Sequence, residues 1–224
     1  MIAAFFDVDG TLTRSRVWSG LLEYFRVKKK RRMTLIFFRL YHYPLIVLYK
    51  MGLIPVTWFR AIWAKHLSWF FRGYTVEEAK EIWDWVVINY INHNLREDVC
   101  NLLNEHRRSG HVIVLVSGGP QPLVERIGLE VGAKYALGTV HQIRNGRYTS
   151  RGGGPVCIDQ YKAILTKKLI SDEGLDINLE SSYAYADSTG DIPLLEMVGN
   201  PVAVYPDREF RPIALERRWR IFPR

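Results

Sequence analysis

Apolar positions along this chain follow two different patterns, and the pattern changes twice. Nearly continuous apolar runs, each ending in a polar residue or glycine, indicate strands that are buried on both faces of a sheet. Such strands are predicted at 2–6, 111–116, 135–138, 182–187, 202–205 and 219–222. Helical patterns lie between them at 96–109 and 121–131, around Lys162 up to about residue 171, and from 207 onward. The sequence therefore predicts an α/β fold built on a parallel sheet.

The segment between residues 13 and 96 lacks the strand pattern and is predicted to be helical. Helices are expected at 17–32, 33–50, 56–71 and 75–92, and Pro44 should bend or interrupt the second of them. Thr75, followed by glutamates in the next turn, is a good helix N-cap. A hairpin is expected at 141–149 around Asn145-Gly146. We therefore predict a core of residues 1–13 and 96–224, with a helical domain of residues 14–95 inserted after the first strand.

Two carboxylates follow the first strand, where Asp7 and Asp9 precede a turn glycine, Gly10. Residues i and i+2 of a strand point the same way, so these side chains would face each other unless the turn redirects one. Two such charges are costly at close range unless a cation neutralises them or one holds a proton. Because magnesium prefers hard oxygen ligands, the pair predicts a magnesium site. The alternative is an ordinary surface turn.

Later segments add further polar residues at similar positions. Ser117 and Gly118 follow the second apolar run and precede a helix, an arrangement that can hold an anion, although an ordinary strand-to-helix loop looks the same. Lys162 lies near the start of a predicted helix, where most lysines are solvated. Asp187 ends another strand, and Asp191 follows four residues later, where it could instead be a helix N-cap.

The ends of the strands connect these residues. In an open parallel sheet, ligands bind beyond the carboxyl ends of the strands, and Asp7, Ser117 and Asp187 all lie at such ends. Carboxylates, a hydroxyl and Lys162 at one edge of the sheet describe a magnesium-assisted phosphoryl site, in which charge on the phosphoryl oxygens is neutralised.

The same residues, in the same order and spacing, resemble the four motifs of the haloacid dehalogenase superfamily. Asp-Val-Asp-Gly-Thr-Leu-Thr at 7–13 resembles the first motif, and the other three are matched by Ser117, by Lys162, and by Asp187 with Asp191. The likeness is greatest to subfamily IB, which includes phosphoserine phosphatases, and it covers essentially the whole chain. It implies a Rossmann-like parallel sheet with a mostly helical cap that closes over the site.

The resemblance also implies a role for each residue. Asp7 would be the nucleophile that forms an aspartyl-phosphate, and Asp9 would protonate the leaving oxygen and then deprotonate the attacking water. The residues implied to hold the phosphoryl oxygens are Ser117, Gly118 and Lys162. Those implied to bind Mg²⁺ are Asp7, the backbone carbonyl of Asp9, and Asp187. Asp191 would orient a water of the metal or Lys162.

The resemblance further narrows the expected reaction. Asp9 implies a phosphatase or phosphomutase, because the dehalogenases need no proton on the leaving group and lack this residue. Phosphoserine phosphatases place a glutamate nine residues after the nucleophile to bind the substrate amine, but Arg16 stands there and favours a second anionic group. Gly190 replaces the asparagine of the fourth motif. We expect magnesium-dependent hydrolysis of a lipid or other small organic monophosphate, with phosphoserine phosphatase and phosphomutase as alternatives.

The net charge of +8 is concentrated in one part of the chain. Residues 15–72 hold roughly a dozen Lys and Arg against a single acid, Glu23. Within them, 33–53 mixes apolar and basic residues and is too interrupted to be a transmembrane helix. It is either part of the cap core or an interfacial helix pair on an anionic membrane. A membrane-surface or nucleic-acid-binding protein with a vestigial core is the non-enzymatic alternative. The intact acidic set argues against it, and nucleic acid is not expected as a partner.

Composition also bears on location. Cys100 and Cys157 are far apart and lack metal-ligand spacing, which suggests a reducing compartment. The N-terminus runs directly into the first strand without the pattern of a cleavable signal. The expected location is the cytoplasm, with peripheral contact at the inner membrane surface through the basic, aromatic cap if its helix pair is interfacial.

Overall fold

The computed structural model describes residues 1–223, which fold around a six-stranded parallel sheet. The strands are β1 (Ala3–Asp7), β2 (Val112–Pro120), β3 (Tyr135–Thr139), β4 (His141–Arg144), β5 (Arg147–Gly152), β6 (Tyr183–Ala186), β7 (Asn200–Val204) and β8 (Arg220–Phe222). The sheet has the order β3-β2-β1-β6-β7-β8, while β4 and β5 form a separate antiparallel hairpin. The predicted α/β fold with a parallel sheet is confirmed.

Strand β1 lies inside the sheet, between β2 and β6, and every one of its residues is buried. Its side chains alternate between two hydrophobic clusters, one on each face of the sheet. Ala4 and Phe6 belong to one cluster, and Ala3 and Phe5 belong to the other. This double burial explains why the first apolar run of the sequence is continuous rather than alternating.

Helices cover both faces of the sheet. The helices of the described residues are α1 (Val17–Val27), α2 (Arg32–Lys50), α3 (Val56–His66), α4 (Ser68–Phe71), α5 (Val76–Val86), α6 (Glu97–Arg108), α7 (Gln121–Val131), α8 (Gln160–Asp172), α9 (Ile192–Leu195) and α10 (Phe210–Glu216). Leu103 of α6 and Ile127 of α7 pack on the face that carries Phe6. Leu169 of α8 and Phe210 of α10 pack on the opposite face. The core therefore has three layers.

Residues 14–95, here called the helical insertion, lie between β1 and β2. They contain α1 to α5, a π-helical turn at Val87–Ile91 and a 3₁₀ turn at Asn92–Asn94. The hairpin packs against this insertion: the Gly73 amide donates to the Tyr148 carbonyl at 2.8 Å, and the Tyr148 amide donates to the Tyr74 carbonyl at 2.9 Å. That residues 14–95 form a separate domain stays a prediction. Within residues 1–223, no helix has both the length and the apolar content that crossing a bilayer requires.

Several elements of the insertion have other bounds than the sequence pattern predicts. The first helix ends at Val27 rather than at residue 32. The helix expected at 56–71 breaks at Leu67, next to which the Ser68 hydroxyl donates to the Lys65 carbonyl at 2.7 Å. The helix expected at 75–92 changes to π-helical geometry at Val87.

Pro44 does not interrupt α2, which continues to Lys50. The helix loses one backbone hydrogen bond at the proline but is anchored by Phe38 and His42, which are both buried. Two local predictions are confirmed. Thr75 forms a reciprocal capping box with Glu78 at the start of α5. The hairpin turns at Asn145-Gly146, both with positive φ.

Candidate active site

Three neighbouring strands bring the polar residues to one edge of the sheet. Asp7 is the last residue of β1 and is paired with Val116 of β2, so Ser117 lies one residue further along. On the other side of β1, strand β6 ends at Ala186, and Asp187 follows. Asp7, Ser117 and Asp187 are all buried, as expected for side chains at the inner strands of a covered sheet.

Three buried carboxylates form a cluster at this edge. Asp7, Asp187 and Asp191 each offer an oxygen within 4.8 Å of the others. Burial raises the pKa of Asp7 well above its usual range, with Lys162 opposing and Asp191 and Asp187 adding to the rise. Burial and the neighbouring Asp191 raise the pKa of Asp187 to about 7. The cluster therefore favours a cation or a bound proton.

Gly10 makes room for this cluster. Its backbone has a φ of +94°, which residues that carry a side chain rarely adopt. A Cβ placed on Gly10 would collide with the Asp187 carboxylate. Thr11 donates to Asp187 Oδ1 at 3.4 Å. The turn glycine that the sequence singled out therefore serves both the backbone turn and the approach of Asp187.

Lys162 occupies the first turn of α8, and its ammonium group is buried between two carboxylates. It donates to Asp7 Oδ1 at 2.5 Å and to Asp191 Oδ1. Burial alone would lower the pKa of Lys162, but Asp191 and Asp7 outweigh burial and raise it. The interpretation of Lys162 as a solvated helix lysine is wrong, because the side chain points into the sheet edge. Asp191 does occupy the N-cap position of α9, but its side chain makes no capping bond. Its carboxylate instead accepts from Lys162 and from Ser188, the latter at 2.8 Å.

The Asp7 carboxylate has one oxygen, Oδ2, that is buried and has no hydrogen-bond partner within residues 1–223. A buried anionic oxygen without a partner is costly, and a divalent cation is a suitable partner for it. The oxygen donors of Asp7, Asp187 and Asp191 therefore fit a magnesium ion.

Among the described residues, the Asp9 carboxylate is not one of the groups that form this cluster. Strand β1 ends at Asp7, so the i, i+2 relation of a strand does not hold at Asp9, and the turn redirects its side chain. Asp9 Oδ1 accepts from the Val17 amide at 2.6 Å, at the N-terminus of α1. Burial raises the pKa of Asp9, while the Val17 amide and Arg16 oppose this rise. The Asp9 carbonyl accepts from Arg16 Nη1 at 3.3 Å.

Ser117 and Gly118 lie within β2, which runs four residues beyond its predicted end, to Pro120. Ser117 Oγ is buried and accepts from the Gly119 amide at 3.1 Å. Thr139 donates to the Gly118 carbonyl at 2.8 Å and fixes this segment. A Cβ on Gly118 would lie 2.8 Å from the Ile158 side chain, so the strand passes Ile158 closely here.

A cavity of about 420 Å³ opens above these groups. Asp7, Asp9, Lys162 and Asp191 line it from the core. Its other walls come from the helical insertion and are mostly apolar, formed by Trp18, Ile46, Tyr49, Phe59, Trp63 and Leu67. The cavity therefore joins an apolar wall to a charged floor in which carboxylates are in excess, and with a cation bound this floor is suited to the anionic end of a ligand.

Two arginines of the insertion also line the cavity, Arg16 and Arg60. Arg60 forms an ion pair of 3.4 Å with Asp159, which precedes α8. A Cβ on Gly190 would lie 2.9 Å from Asp159 Oδ1, so the glycine in the fourth motif makes room for this pair. The sequence pattern indicated Arg16 but not Arg60 or Asp159, because no local sequence feature distinguishes Arg60 from the other basic residues of the insertion.

Comparison with known proteins now gives the family. Haloacid dehalogenase-like hydrolases match residues 4–196 of this sequence. The chain belongs to the haloacid dehalogenase-like hydrolase family. The resemblance that its motifs carry is confirmed.

Curated relatives of this haloacid dehalogenase-like hydrolase include two that are 35% identical to it. The inhibition of morphological differentiation protein of Streptomyces azureus aligns over 161 residues, which are 70% of this chain and 56% of the relative. Phosphoserine phosphatase SerB1 of Mycobacterium tuberculosis aligns over 156 residues, which are 68% of this chain and 49% of the relative. The chain thus spans about half the length of these relatives.

A solved structure agrees with the fold over its whole extent. The crystal structure of a protein with unknown function from Bordetella pertussis Tohama I has a TM-score of 0.83 and 24% identity. The match covers 98% of this chain and 96% of that one. The likeness supports the overall fold of this chain.

Proposed function

We propose that this protein is a magnesium-dependent phosphomonoester hydrolase that works through an aspartyl-phosphate on Asp7. The observation that supports this most is the meeting of Asp7, Lys162 and Asp191 on the floor of one cavity, although they are far apart in sequence. Lys162 opposes the effect of burial on the Asp7 pKa, and a bound divalent cation would add to this, so that the carboxylate would be ionised as a nucleophile must be. Membership of the haloacid dehalogenase-like hydrolases and a relative named as a phosphatase agree with this.

The proposed reaction has two steps. In the first, a carboxylate oxygen of Asp7 attacks phosphorus and the bond from phosphorus to the ester oxygen breaks, while Asp9 gives its proton to that oxygen. In the second, water attacks the phosphorus of the aspartyl-phosphate and passes a proton to Asp9. The bond between phosphorus and the Asp7 oxygen breaks, so that inorganic phosphate is released and Asp7 is regenerated. Burial raises the pKa of Asp9, and this favours the protonated form that the first step needs.

Three residues are proposed to hold the phosphoryl oxygens. Lys162 supplies a buried positive charge next to Asp7. The backbone of Gly118 lines the cavity, and the neighbouring Ser117, whose Oγ accepts from the Gly119 amide, would donate its hydroxyl proton to an oxygen of the substrate. These groups would stabilise charge on the equatorial oxygens during transfer.

Mg²⁺ is proposed to be held by the Asp7 and Asp187 carboxylates and by the Asp9 carbonyl, with Asp191 in support. The unpartnered Asp7 Oδ2 and the clustering of three carboxylates support this choice. When bound, the ion would neutralise part of the negative charge on the carboxylates and on the phosphoryl group.

The cavity suggests the substrate class. Its apolar wall favours a small organic monophosphate whose organic part is apolar, a class that includes lipid phosphates. Arg16 adds positive charge near the floor, whereas Asp159 offsets the charge of Arg60, and Arg16 therefore favours a second anionic group over an ammonium group. Phosphoserine is the second candidate, because SerB1 bears the name of a phosphoserine phosphatase.

Release of inorganic phosphate from an aryl phosphate tests the proposal. Turnover should require Mg²⁺, disappear with a chelator and return when excess Mg²⁺ is added. A panel of sugar, amino-acid, nucleotide and lipid monophosphates then ranks the substrate classes. Exchange of label between positions of one substrate, without net phosphate release, would indicate a phosphomutase. No turnover of any monoester with Mg²⁺ would mean that the site is vestigial.

A further inference from the structure

Helix α2 has one side that the rest of the protein does not cover. Met33, Phe37, Leu40 and Val47 recur at spacings of three, four and seven residues and so lie on one side of the helix. All four are exposed, with Phe37 at 59% and Leu40 at 66% of full exposure. Ile36 and Tyr43 extend this side and are also exposed. We call these six residues the outer face of α2.

The opposite side of α2 packs against the rest of the protein and borders the cavity, so the outer face takes no part in this packing. Phe38 and His42 are buried there, and Phe38 packs against Trp63 with ring centroids 4.9 Å apart. Ile46 and Tyr49 line the cavity. The outer face is therefore an apolar surface with no structural role within residues 1–223, and contiguous exposed apolar side chains commonly mark an interaction site.

Positive charge borders the outer face. Arg32, Arg39 and Lys50 lie on α2 at spacings of 7 and 11 residues, which places them along one edge of it. The basic run 28–31 immediately precedes the helix, and residues 24–76 contain no aspartate or glutamate. An apolar strip with a basic edge, in a stretch of sequence without acids, is complementary to a lipid surface with anionic headgroups above an apolar interior.

We propose that the outer face of α2 docks in the plane of an anionic lipid bilayer, with the apolar side chains among the acyl chains and Arg32, Arg39 and Lys50 at the headgroups. A second copy of the chain would oppose two strongly basic surfaces, which repel each other. A nucleic acid would pair with the bases but leave the apolar strip without a partner. The docking does not depend on the proposed phosphatase activity.

Docking would also place the cavity close to the bilayer. The same helix carries the outer face on one side and the cavity residues Ile46 and Tyr49 on the other. If the phosphatase proposal also holds, a membrane-bound phosphate monoester would reach the site without leaving the lipid surface.

Co-sedimentation with vesicles tests the docking. The full chain is mixed with vesicles of phosphatidylglycerol and phosphatidylcholine, and in parallel with phosphatidylcholine alone. The wild-type protein should sediment with the anionic vesicles, less so at high salt, and not with the neutral ones. The double variant Phe37→Ser, Leu40→Ser should bind at least about tenfold more weakly, because two large apolar side chains no longer enter the bilayer.

Leu129→Ser is the matched control. Leu129 lies on α7, outside the insertion, and is 77% exposed, so its loss should leave vesicle binding unchanged. An unaltered melting temperature of each variant shows that folding is intact, and turnover of a soluble aryl phosphate reports separately on the catalytic site. Failure of the wild-type protein to bind anionic vesicles overturns the proposal. The proposal is also overturned if the wild-type protein forms a concentration-dependent dimer that the double variant does not form. The outer face would then be the contact surface for a second copy of the chain.

Discussion

The buried ammonium of Lys162 donates to Asp7 Oδ1 at 2.5 Å, across 155 positions of the sequence. The contact fixes the amino end of α8 against the end of β1 and holds a positive charge where a phosphoryl group would bind. The same ammonium contacts Asp191, so one cation neutralises part of a cluster of three carboxylates. This arrangement links the stability of the fold to the chemistry of the site.

Asp7→Asn should abolish turnover and leave the fold intact. The amide has nearly the shape of the carboxylate but is not a nucleophile, so activity should fall below about 1% of wild type. Phosphate release and the melting temperature are measured together. Asp172→Asn, which alters an exposed acid of α8, is the control and should keep full activity. Activity of Asp7→Asn above that level would count against Asp7 as the nucleophile.

Lys162→Met should destabilise the protein as well as inactivate it. Removing one partner of a buried ion pair leaves carboxylates without their cation, which costs about 3–5 kcal/mol of unfolding free energy. Urea denaturation measures this loss. Mg²⁺ should restore more stability to the variant than it adds to the wild type, because the carboxylates regain a positive partner.

Lys168→Met is the control for this variant. Lys168 pairs with Asp172 on the exposed side of the same helix, and such surface pairs contribute about 0–1 kcal/mol. Equal losses for the two lysine variants would contradict the role given to the buried pair.

Gly10→Ala should impair the site through a collision rather than through backbone strain alone. The new Cβ would meet the Asp187 carboxylate, and displacement of a site residue by about 1 Å can cost about a hundredfold in rate. Gly110→Ala separates the two effects, because Gly110 also has a positive φ but has open space around it. Gly110→Ala should cost about 1 kcal/mol of stability and keep its activity. Steady-state kinetics and thermal melting compare the pair.

His141 should make the stability depend on pH. Its ring is buried against Phe71, neither ring nitrogen has a partner in the described part of the chain, and burial lowers its pKa from 6.5 to about 4. Above pH 6.5 the ring is neutral in both states. Between about 6.5 and 4 the unfolded chain binds a proton that the folded chain does not, so the unfolding free energy falls as pH falls. Below about pH 4 both states are protonated and no further loss follows.

His141→Leu should therefore show a smaller loss of stability between pH 7 and pH 5 than the wild type, by about 2 kcal/mol. Denaturant titrations at the two pH values measure the difference. His93→Leu, which removes an exposed histidine, is the matched control. If the unfolding free energy of His141→Leu changes with pH as much as that of the wild type, His141 is not the cause of the pH dependence.

The sequence by itself determined the residues that meet at the strand ends. Continuous apolar runs predicted buried parallel strands, and such strands end at one edge of the sheet, so Asp7, Ser117 and Asp187 could be placed together. The individual roles of Lys162 and Asp191 are implied by the resemblance to the family rather than by the strand pattern. Local signals were also sufficient for the Thr75 cap and the Asn145-Gly146 turn, because their hydrogen bonds close within a few residues.

Only the tertiary structure decided the direction of Asp9, the apolar wall of the cavity and the pairing of Arg60 with Asp159. The i, i+2 rule fails at Asp9 because β1 has already ended, and the partner that orients this side chain is the amide of Val17 in the next element. The wall and the arginine pair arise from contacts between the insertion and the core, which depend on how whole elements pack. Periodicity reports which side of a helix is apolar, but which apolar side is buried depends on the neighbours. This is why the sequence leaves open whether α2 is part of the cap core or an interfacial helix, and only its packing shows that Phe38 is buried and Phe37 exposed.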